Sequence, residues 1–226
     1  MKRTLVALAV LFLFSVSSAV VFGQEKTTAK DLGIRVNKAR VTFEEFRQDS
    51  RMTWFQKNVR YAKGLLIMPQ FVKGGFFVGG AVGKGVLVAQ DKDGGWSHPA
   101  FYDVVSGSLG LQFGVKAGEV VLMIMTDTGL RRFLRDKFQL GADASIGLGP
   151  EGVGAKVEIF DIFSFARVKG LFAGVSVEGG GVVVNRDDNR TYYGRVDITP
   201  RDILLRRNVS NEQAKPLIEV LNKATR

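Results

Sequence analysis

Residues 140–157 read LGADASIGLGPEGVGAKV, and this stretch decides the class of fold. From Leu140 to Leu148, Leu, Ala and Ile alternate with Gly, Asp and Ser, and a period of two predicts a β-strand. Gly149-Pro150-Glu151-Gly152 then predicts a turn. One face of the predicted strand carries almost no bulk, which is typical of a place where another backbone comes close. Asp143 lies on that face, and we expect it to order backbone rather than to perform chemistry.

The distribution of glycine divides the chain into a centre and two flanks. Of the 27 glycines, 25 lie between Gly64 and Gly194. Glycine disfavours helix interiors and marks turns, so the centre is expected to be sheet and the flanks helical. The predicted fold is α+β, with a mainly antiparallel, Gly-rich sheet as a sandwich or barrel-like core between N-terminal and C-terminal helices.

The first flank carries an apolar stripe at helical spacing, with basic residues such as Arg35 and Lys38 beside it. We expect the stripe to pack on the domain's own sheet. A basic amphipathic helix lying on a membrane is the alternative. The stripe consists of Leu32, Val36, Ala39, Phe43 and Phe46.

Local patterns in the centre predict individual elements. A strand from Leu65 is expected to end at Pro69, and the apolar run 120–125 predicts a strand buried on both faces. Residues 128–137 are predicted to form a short helix capped by Thr126 or Asp127. Residues 185–189 are predicted to form a polar turn.

Residues 1–23 have the features of a secretory signal peptide. Lys2 and Arg3 precede an apolar run from Leu5 to Phe14, and small residues follow. A retained transmembrane anchor is the alternative. The chain contains no cysteine, and export without disulfides favours a bacterial periplasm or cell envelope. We therefore expect a single domain over residues 24–226 that is exported and peripheral to a membrane.

The positive charge of the exported part lies in its flanks. Residues 24–63 contain ten basic and five acidic residues, residues 64–194 contain thirteen of each, and residues 195–226 contain seven and four. This distribution suits an anionic partner such as lipid headgroups or an acidic protein, and export makes nucleic acid the least suitable partner.

Few residues are available for catalysis. His98 is the single histidine and the chain has no cysteine, so no zinc site of His and Cys ligands can be assembled. A lone histidine is more often a polar surface or hydrogen-bonding residue than a catalytic one, and we predict no catalytic residue, metal or cofactor. Residues 79–85 resemble a phosphate loop but lack its first Gly and its Ser or Thr. An enzyme working through buried carboxylates remains an alternative. Its candidates are Asp103, Glu119, Asp143 and Asp161, for which Arg167 or Lys169 could instead be ion-pair partners.

Several sequence blocks, in order, resemble the SYLF-domain family, the lipid-binding module of endocytic actin regulators and of many exported bacterial proteins. Single blocks are weakly specific, but their order along the chain is specific. The blocks are Ala62-Lys63-Gly64 with Pro69, Lys73-Gly74-Gly75-Phe76, Gly83-Lys84-Gly85-Val86, Trp96-Ser97-His98-Pro99-Ala100-Phe101, Gly110-Leu111-Gln112-Phe113-Gly114, residues 140–145 with Gly149-Pro150, residues 169–176, and Tyr192-Tyr193-Gly194.

The resemblance implies binding of acidic phospholipids without catalysis. For an exported bacterial relative it implies an anionic glycerophospholipid such as phosphatidylglycerol or cardiolipin, possible contact with an envelope protein, and no actin. A structural envelope protein, an outer-membrane β-barrel and an envelope-lipid hydrolase are the alternatives. The residues expected to contact lipid are Arg35, Lys38, Lys63, Lys73, Lys84 and Lys169.

Overall fold

Helices cover one face of a single curled sheet. The computed structural model describes residues 26–74, 79–108, 116–150, 158–168, 171–172 and 177–225. The α-helices are α1 (Ala29–Gln48), α2 (Thr53–Asn58), α3 (Asp127–Phe133), α4 (Arg186–Tyr193) and α5 (Lys215–Thr225). Short 3-10 turns occupy Ser50–Met52, Val59–Tyr61 and Glu212–Ala214, and a π-helical turn occupies Asp202–Arg206.

Within the described ranges, nine strands form one mostly antiparallel sheet in the order β5-β9-β3-β2-β1-β4-β7-β6, with β8 paired to β7. The pairing of β6 with β7 is parallel. The strands are β1 (Gly64–Gly74), β2 (Gly79–Ala89), β3 (Ala100–Ser108), β4 (Lys116–Ile124), β5 (Lys137–Gln139), β6 (Ile146–Leu148), β7 (Ile162–Val168), β8 (Leu171–Phe172) and β9 (Gly181–Val184). The predicted α+β class and the flanking helices are confirmed, and the core is one continuous sheet.

The link between β5 and β6 forces this sheet to curl. The two strands stand at opposite ends of an eight-strand order. In a flat sheet with strands about 4.8 Å apart they would lie about 34 Å from each other. The chain from Gln139 to Ile146 can extend to only about 25 Å. It is in fact folded into a tight turn, in which the Gly141 N–H donates to the Ala144 carbonyl at 2.8 Å.

Alternate residues of the strands feed two separate apolar clusters. In β4, Val120, Leu122 and Ile124 join the cluster inside the curl, and Val121 and Met123 join the cluster under the helices. All five residues are at most 1 % exposed, which confirms the prediction of a strand buried on both faces. The curl therefore has a filled interior and a covered outer face.

Helix α1 lies across this outer face. Its predicted stripe is fully buried in the outer cluster, which confirms that the stripe packs on the sheet of its own domain. Polar contacts add to the packing. Thr42 donates to Glu119 of β4 at 2.9 Å, and Arg167 of β7 binds both Glu119 and Glu45.

Three local predictions were wrong because longer-range contacts override local patterns. The predicted strand from Leu140 to Leu148 is broken by a turn at residues 141–143, where Gly141 has φ +87°. Strand β1 does not end at Pro69 but continues through it on a bulge. The predicted polar turn 185–189 is the start of α4, with Asn185 as its N-cap.

The helix after Thr126 also differs from its prediction. Thr126 is its N-cap, as expected, but it ends at Phe133 because the chain must reach β5 at Lys137. No helix in the described ranges combines the length and the apolar character that a membrane crossing requires.

His98 connects the loop before β3 to the C-terminal helix. The backbone N–H of Asn211, the N-cap of the 3-10 turn before α5, donates to its Nδ1 at 3.3 Å. Nδ1 accepts only in the neutral ring. Burial lowers the pKa of His98, and the nearby Glu212 carboxylate opposes this more weakly.

Gly141→Ala should lower the free energy of unfolding by about 1–3 kcal/mol, since Ala is strained at φ +87° and its Cβ would lie 2.8 Å from the Cγ of Glu178. Gly80→Ala is the control, because its Cβ would meet nothing closer than 3.5 Å. Urea denaturation of both variants measures the difference. Equal stability of the two would show that the turn does not constrain the sheet.

The stability of the protein should fall as pH drops below 6.5, since unfolding then lets His98 take up a proton that the folded state disfavours. His98→Asn keeps an acceptor near the position of Nδ1 but does not titrate. The parent should therefore lose up to about 1.4 kcal/mol relative to this variant between pH 7.5 and pH 5.5. Parallel pH profiles from chemical denaturation would contradict the role of His98.

Candidate functional site

A groove lies between α1 and the part of the sheet beyond the β1 bulge. We call it the basic groove; its volume is 440 Å³ and it is lined by Asp31, Ile34, Arg35, Lys38, Pro69, Gln70, Val72, Val82 and Lys84. Pro69 has no N–H for a regular ladder and sits where the β1 register shifts against both neighbours. Before the bulge, the even-numbered side chains of β1 point into the curl. The extra residue of the bulge reverses this, so that Val72 lines the groove on the outer face and Phe71 packs inside the curl.

The basic groove combines free positive charge with exposed apolar surface. Lys38 and Lys84 are exposed and form no ion pair in the part of the chain that the structure describes. Ile34 and Val82 are 47 % and 48 % exposed. Val105, directly opposite Val82 in the register, is 51 % exposed and extends the apolar surface onto β3. Among the residues that the structure describes, no helix covers this end of the outer face.

Arg35 lies in the groove wall but is engaged by the protein itself. Its Nη1 donates to Oδ2 of Asp188 at 2.5 Å, and the two side chains are only 16 % and 7 % exposed. The guanidinium also lies over the ring of Phe101, 5.6 Å from the centroid. Arg35 therefore fixes α1 to α4 and contributes much less charge to the groove than Lys38 and Lys84.

A second depression adjoins the groove. This polar cavity has a volume of 810 Å³ and is lined by Lys26, Thr27, Lys84, Asp103, Asn185, Asp187, Asp188, Arg190 and Thr191. Lys84 lines both depressions. Burial raises the pKa of Asp103, and the neighbouring Lys84 partly opposes this rise.

Three of the six residues predicted to contact lipid come together, and three do not. Arg35, Lys38 and Lys84 line the basic groove. Lys63 is at the opposite end of β1, where its Nζ lies 3.9 Å from Oδ1 of Asp127. Lys73 lies in β1 opposite Ala81 and Lys116, but its side chain is outside the described part, as is Lys169 entirely.

Three of the four carboxylates that the sequence offered for catalysis have structural partners, and the fourth, Asp103, accepts from Asn185 alone among the described residues, through Oδ2. Glu119 pairs with Arg167, one of the two partners predicted for a buried acid. Asp143 accepts from the Gln139 N–H at 2.8 Å and so orders the turn. Asp161 binds Thr126 and Ser145, and these contacts lower its pKa. Within the described ranges, no group of three or more His, Asp or Glu side chains could hold a metal ion.

Sequence reasoning missed the apolar half of the site. Ile34 lies off the stripe of α1, and Val82 and Val105 belong to strands whose other outer apolar residues are buried. Those buried residues are Val86, Val88 and Phe101. Ile34, Val82 and Val105 are exposed because the packed helices do not extend over them. No local sequence pattern indicates how far the helices extend across the sheet. Pro69 was the available signal, since a proline inside an apolar strand indicates a bulge.

Comparisons with known proteins identify the family of this chain. The family model Ysc84, described as "Las17-binding protein actin regulator", matches residues 105–224. The chain is 38% identical over 169 residues to SH3 domain-containing protein PJ696.02 of Schizosaccharomyces pombe, covering 71% of this chain and 39% of that protein. It is 33% identical over 171 residues to LAS seventeen-binding protein 3 of Saccharomyces cerevisiae, covering 72% and 37%.

It is also 32% identical over 170 residues to human SH3 domain-containing YSC84-like protein 1, covering 73% and 49%. The chain thus spans half or less of the length of these relatives, none of which is named as an enzyme. The family model covers more than half of the chain, and the SYLF resemblance is confirmed. The chain therefore belongs to the Ysc84 family, which carries the SYLF domain.

Proposed function

We propose that this protein is a non-catalytic, peripheral membrane-binding protein that takes anionic phospholipid headgroups into the basic groove. The observation that carries the proposal is the open end of the outer sheet face, where Lys38 and Lys84 lie beside half-exposed aliphatic side chains. Lysines attract the phosphates, and the aliphatic groups can enter the layer between headgroups and acyl chains.

The buried stripe of α1 changes which surface carries this function. Its apolar residues are used by the sheet, so α1 does not offer them to a membrane. The contribution of α1 is the opposite edge, with Ile34 and Lys38. Two lysines and three half-exposed aliphatic side chains, each contributing about 1 kcal/mol, support reversible attachment.

A protein partner is the second candidate function. The family description and the name of the S. cerevisiae relative both refer to binding of Las17, a protein. For this chain, the protein partner would be an envelope protein instead of Las17. Under this alternative the chain would bind anionic vesicles no better than neutral ones.

We also propose that residues 1–23 direct export to a bacterial envelope, as their charged start and apolar run favour. Mass spectrometry of the protein recovered from the envelope fraction should find an N-terminus just after Ala19 or Gly23. Recovery of the uncleaved chain from the cytoplasm would contradict export without affecting the lipid proposal.

Reversing the two groove charges should weaken binding to anionic vesicles. Lys38→Glu/Lys84→Glu is expected to lower the partition coefficient on phosphatidylglycerol-containing vesicles about tenfold or more, because two attractive contacts become repulsive. Co-sedimentation at two salt concentrations measures this effect and its screening.

Lys92→Glu/Lys223→Glu is the matched control. These lysines are also exposed and without an ion pair in the described ranges, and the change in net charge is the same. An equal loss in both double variants would show that overall charge, not the groove, governs binding. Equal binding of the parent to phosphatidylcholine vesicles would refute the electrostatic proposal.

A further inference from the structure

The end of the sheet that lies away from the basic groove carries a second concentration of positive charge. The chain enters β1 at this end, and it leaves β4 for α3 at the same end. The surface there combines basic side chains with two large exposed ones. We call it the basic end; its members are Arg60, Tyr61, Lys63, Arg131, Arg132, Arg135 and Ile159.

Short contacts bring the three segments of the basic end together. The Nζ of Lys63 lies 3.9 Å from Oδ1 of Asp127, at the start of α3. The N–H of Met125 donates to the carbonyl of Asp161, in the loop before β7, at 2.8 Å. Hydrogen bonds, and then the charge of Arg132, lower the pKa of Asp161. The segment before β1, helix α3 and the loop before β7 therefore form one surface.

Positive charge exceeds negative charge at the basic end. Three of its arginines are exposed and form no ion pair with any residue that the structure describes; they are Arg60, Arg131 and Arg135. The five basic side chains face two carboxylates, of Asp127 and Asp161, which leaves a surplus of three positive charges. Asp136 does not reduce this surplus, because Arg186 pairs with it at 2.6 Å.

Exposed side chains at the basic end suit the layer between headgroups and acyl chains. Ile159 is 96 % exposed and Tyr61 is 56 % exposed. The guanidinium of Arg60 lies 4.7 Å from the centroid of the Tyr61 ring. Tyrosine is enriched at the headgroup level of membranes, where its ring meets apolar chains and its hydroxyl meets water. The basic end thus repeats the combination of positive charge and exposed apolar surface that the groove has.

The basic end and the groove face in different directions. Eight residues of β1 separate Gly64 from Val72 in the groove, a distance of about 25 Å along a strand. The groove opens on the outer face, whereas the basic end lies where the strands begin and end. Helix α5 packs on the outer face between α1 and the turn Val59–Tyr61. One flat bilayer therefore cannot fill the groove and cover the basic end as well.

We infer that the basic end is a second contact for anionic bilayers, so that the protein holds two membranes together, one at the groove and one at the basic end. The inference rests on the proposed function, since the groove supplies the first contact. The second contact need only be weak for a single molecule. Many molecules bound to one membrane present their basic ends together, and their contacts with the next membrane add up.

Capture of one vesicle by another tests the inference. Vesicles of phosphatidylglycerol and phosphatidylcholine are fixed to beads, and fluorescent vesicles of the same composition are added with the protein. The parent should raise the captured fluorescence about tenfold or more over beads without protein. Fluorescent vesicles of pure phosphatidylcholine should not be captured, because the second contact requires anionic lipid.

Reversing two charges of the basic end should separate capture from binding. Arg131→Glu/Arg135→Glu is expected to lower capture about tenfold or more, because two attractive contacts of each molecule become repulsive. Its co-sedimentation with a single vesicle population should stay within about twofold of the parent, since the groove is intact. Lys38→Glu/Lys84→Glu should lower both capture and co-sedimentation.

Arg47→Glu/Lys223→Glu is the matched control. It changes the net charge by the same amount, and its residues lie in the last turns of α1 and α5, outside the groove and the basic end. Capture and co-sedimentation should both stay as in the parent.

The two readouts distinguish failure of the inference from failure of the proposed function. Co-sedimentation of the parent without capture would overturn the inference and leave the proposed function intact. So would capture by Arg131→Glu/Arg135→Glu that equals capture by the parent. A parent that binds anionic vesicles no better than pure phosphatidylcholine would refute both.

The dependence of capture on protein concentration keeps the inference testable if a variant does not fold. When each molecule joins two bilayers, excess protein covers the lipid of both vesicle populations through the groove, and capture falls again. Capture that rises to a plateau and stays there would indicate association between bound copies and would overturn the inference.

Discussion

The architecture depends on the six-residue link between β5 and β6. Strands at opposite ends of the sheet order are joined by a turn too short for a flat sheet, so the sheet must curl until its ends meet. The curl encloses the inner cluster and gives the outer face its convex side. Helix α1 and its neighbouring helices cover part of that face, and the basic groove lies where the described helices end.

Some of the basic side chains at this boundary form ion pairs within the protein, and others do not. Arg35 is neutralised by Asp188 and holds α1 against α4, while Arg167 holds α1 against β4 and β7. Lys38 and Lys84 have no such partner in the described part of the chain. The ion pairs thus position the groove, and the two lysines give it its positive charge.

The elements that follow from local periodicity were predicted from the sequence. The features that depend on contacts between distant segments were not. The α1 stripe, the doubly buried β4 and the α+β class follow from local spacing, and each is observed. The break at Gly141 does not follow, because alternation continues through residues 140–148 and only the distant partners β9 and β7 show the turn. For the site, basic residues could be named from charge alone, but Lys63 and Lys84 separate because the length of β1 lies between them.

The order in which the chain is made conflicts with the order in which its contacts form. Helix α1 is synthesised before the sheet. Asp188, the partner of Arg35, is added 153 residues after it, and Arg167, the partner of Glu45, is added 122 residues after it. The apolar stripe of α1 can contact Phe55 and β1 earlier, but these two ion pairs must await β7 and α4. Such a non-local topology folds slowly and only near completion of the chain. Elongation of the chain, and not the local formation of α1, therefore sets the time at which the contacts of α1 with α4 and β7 can form.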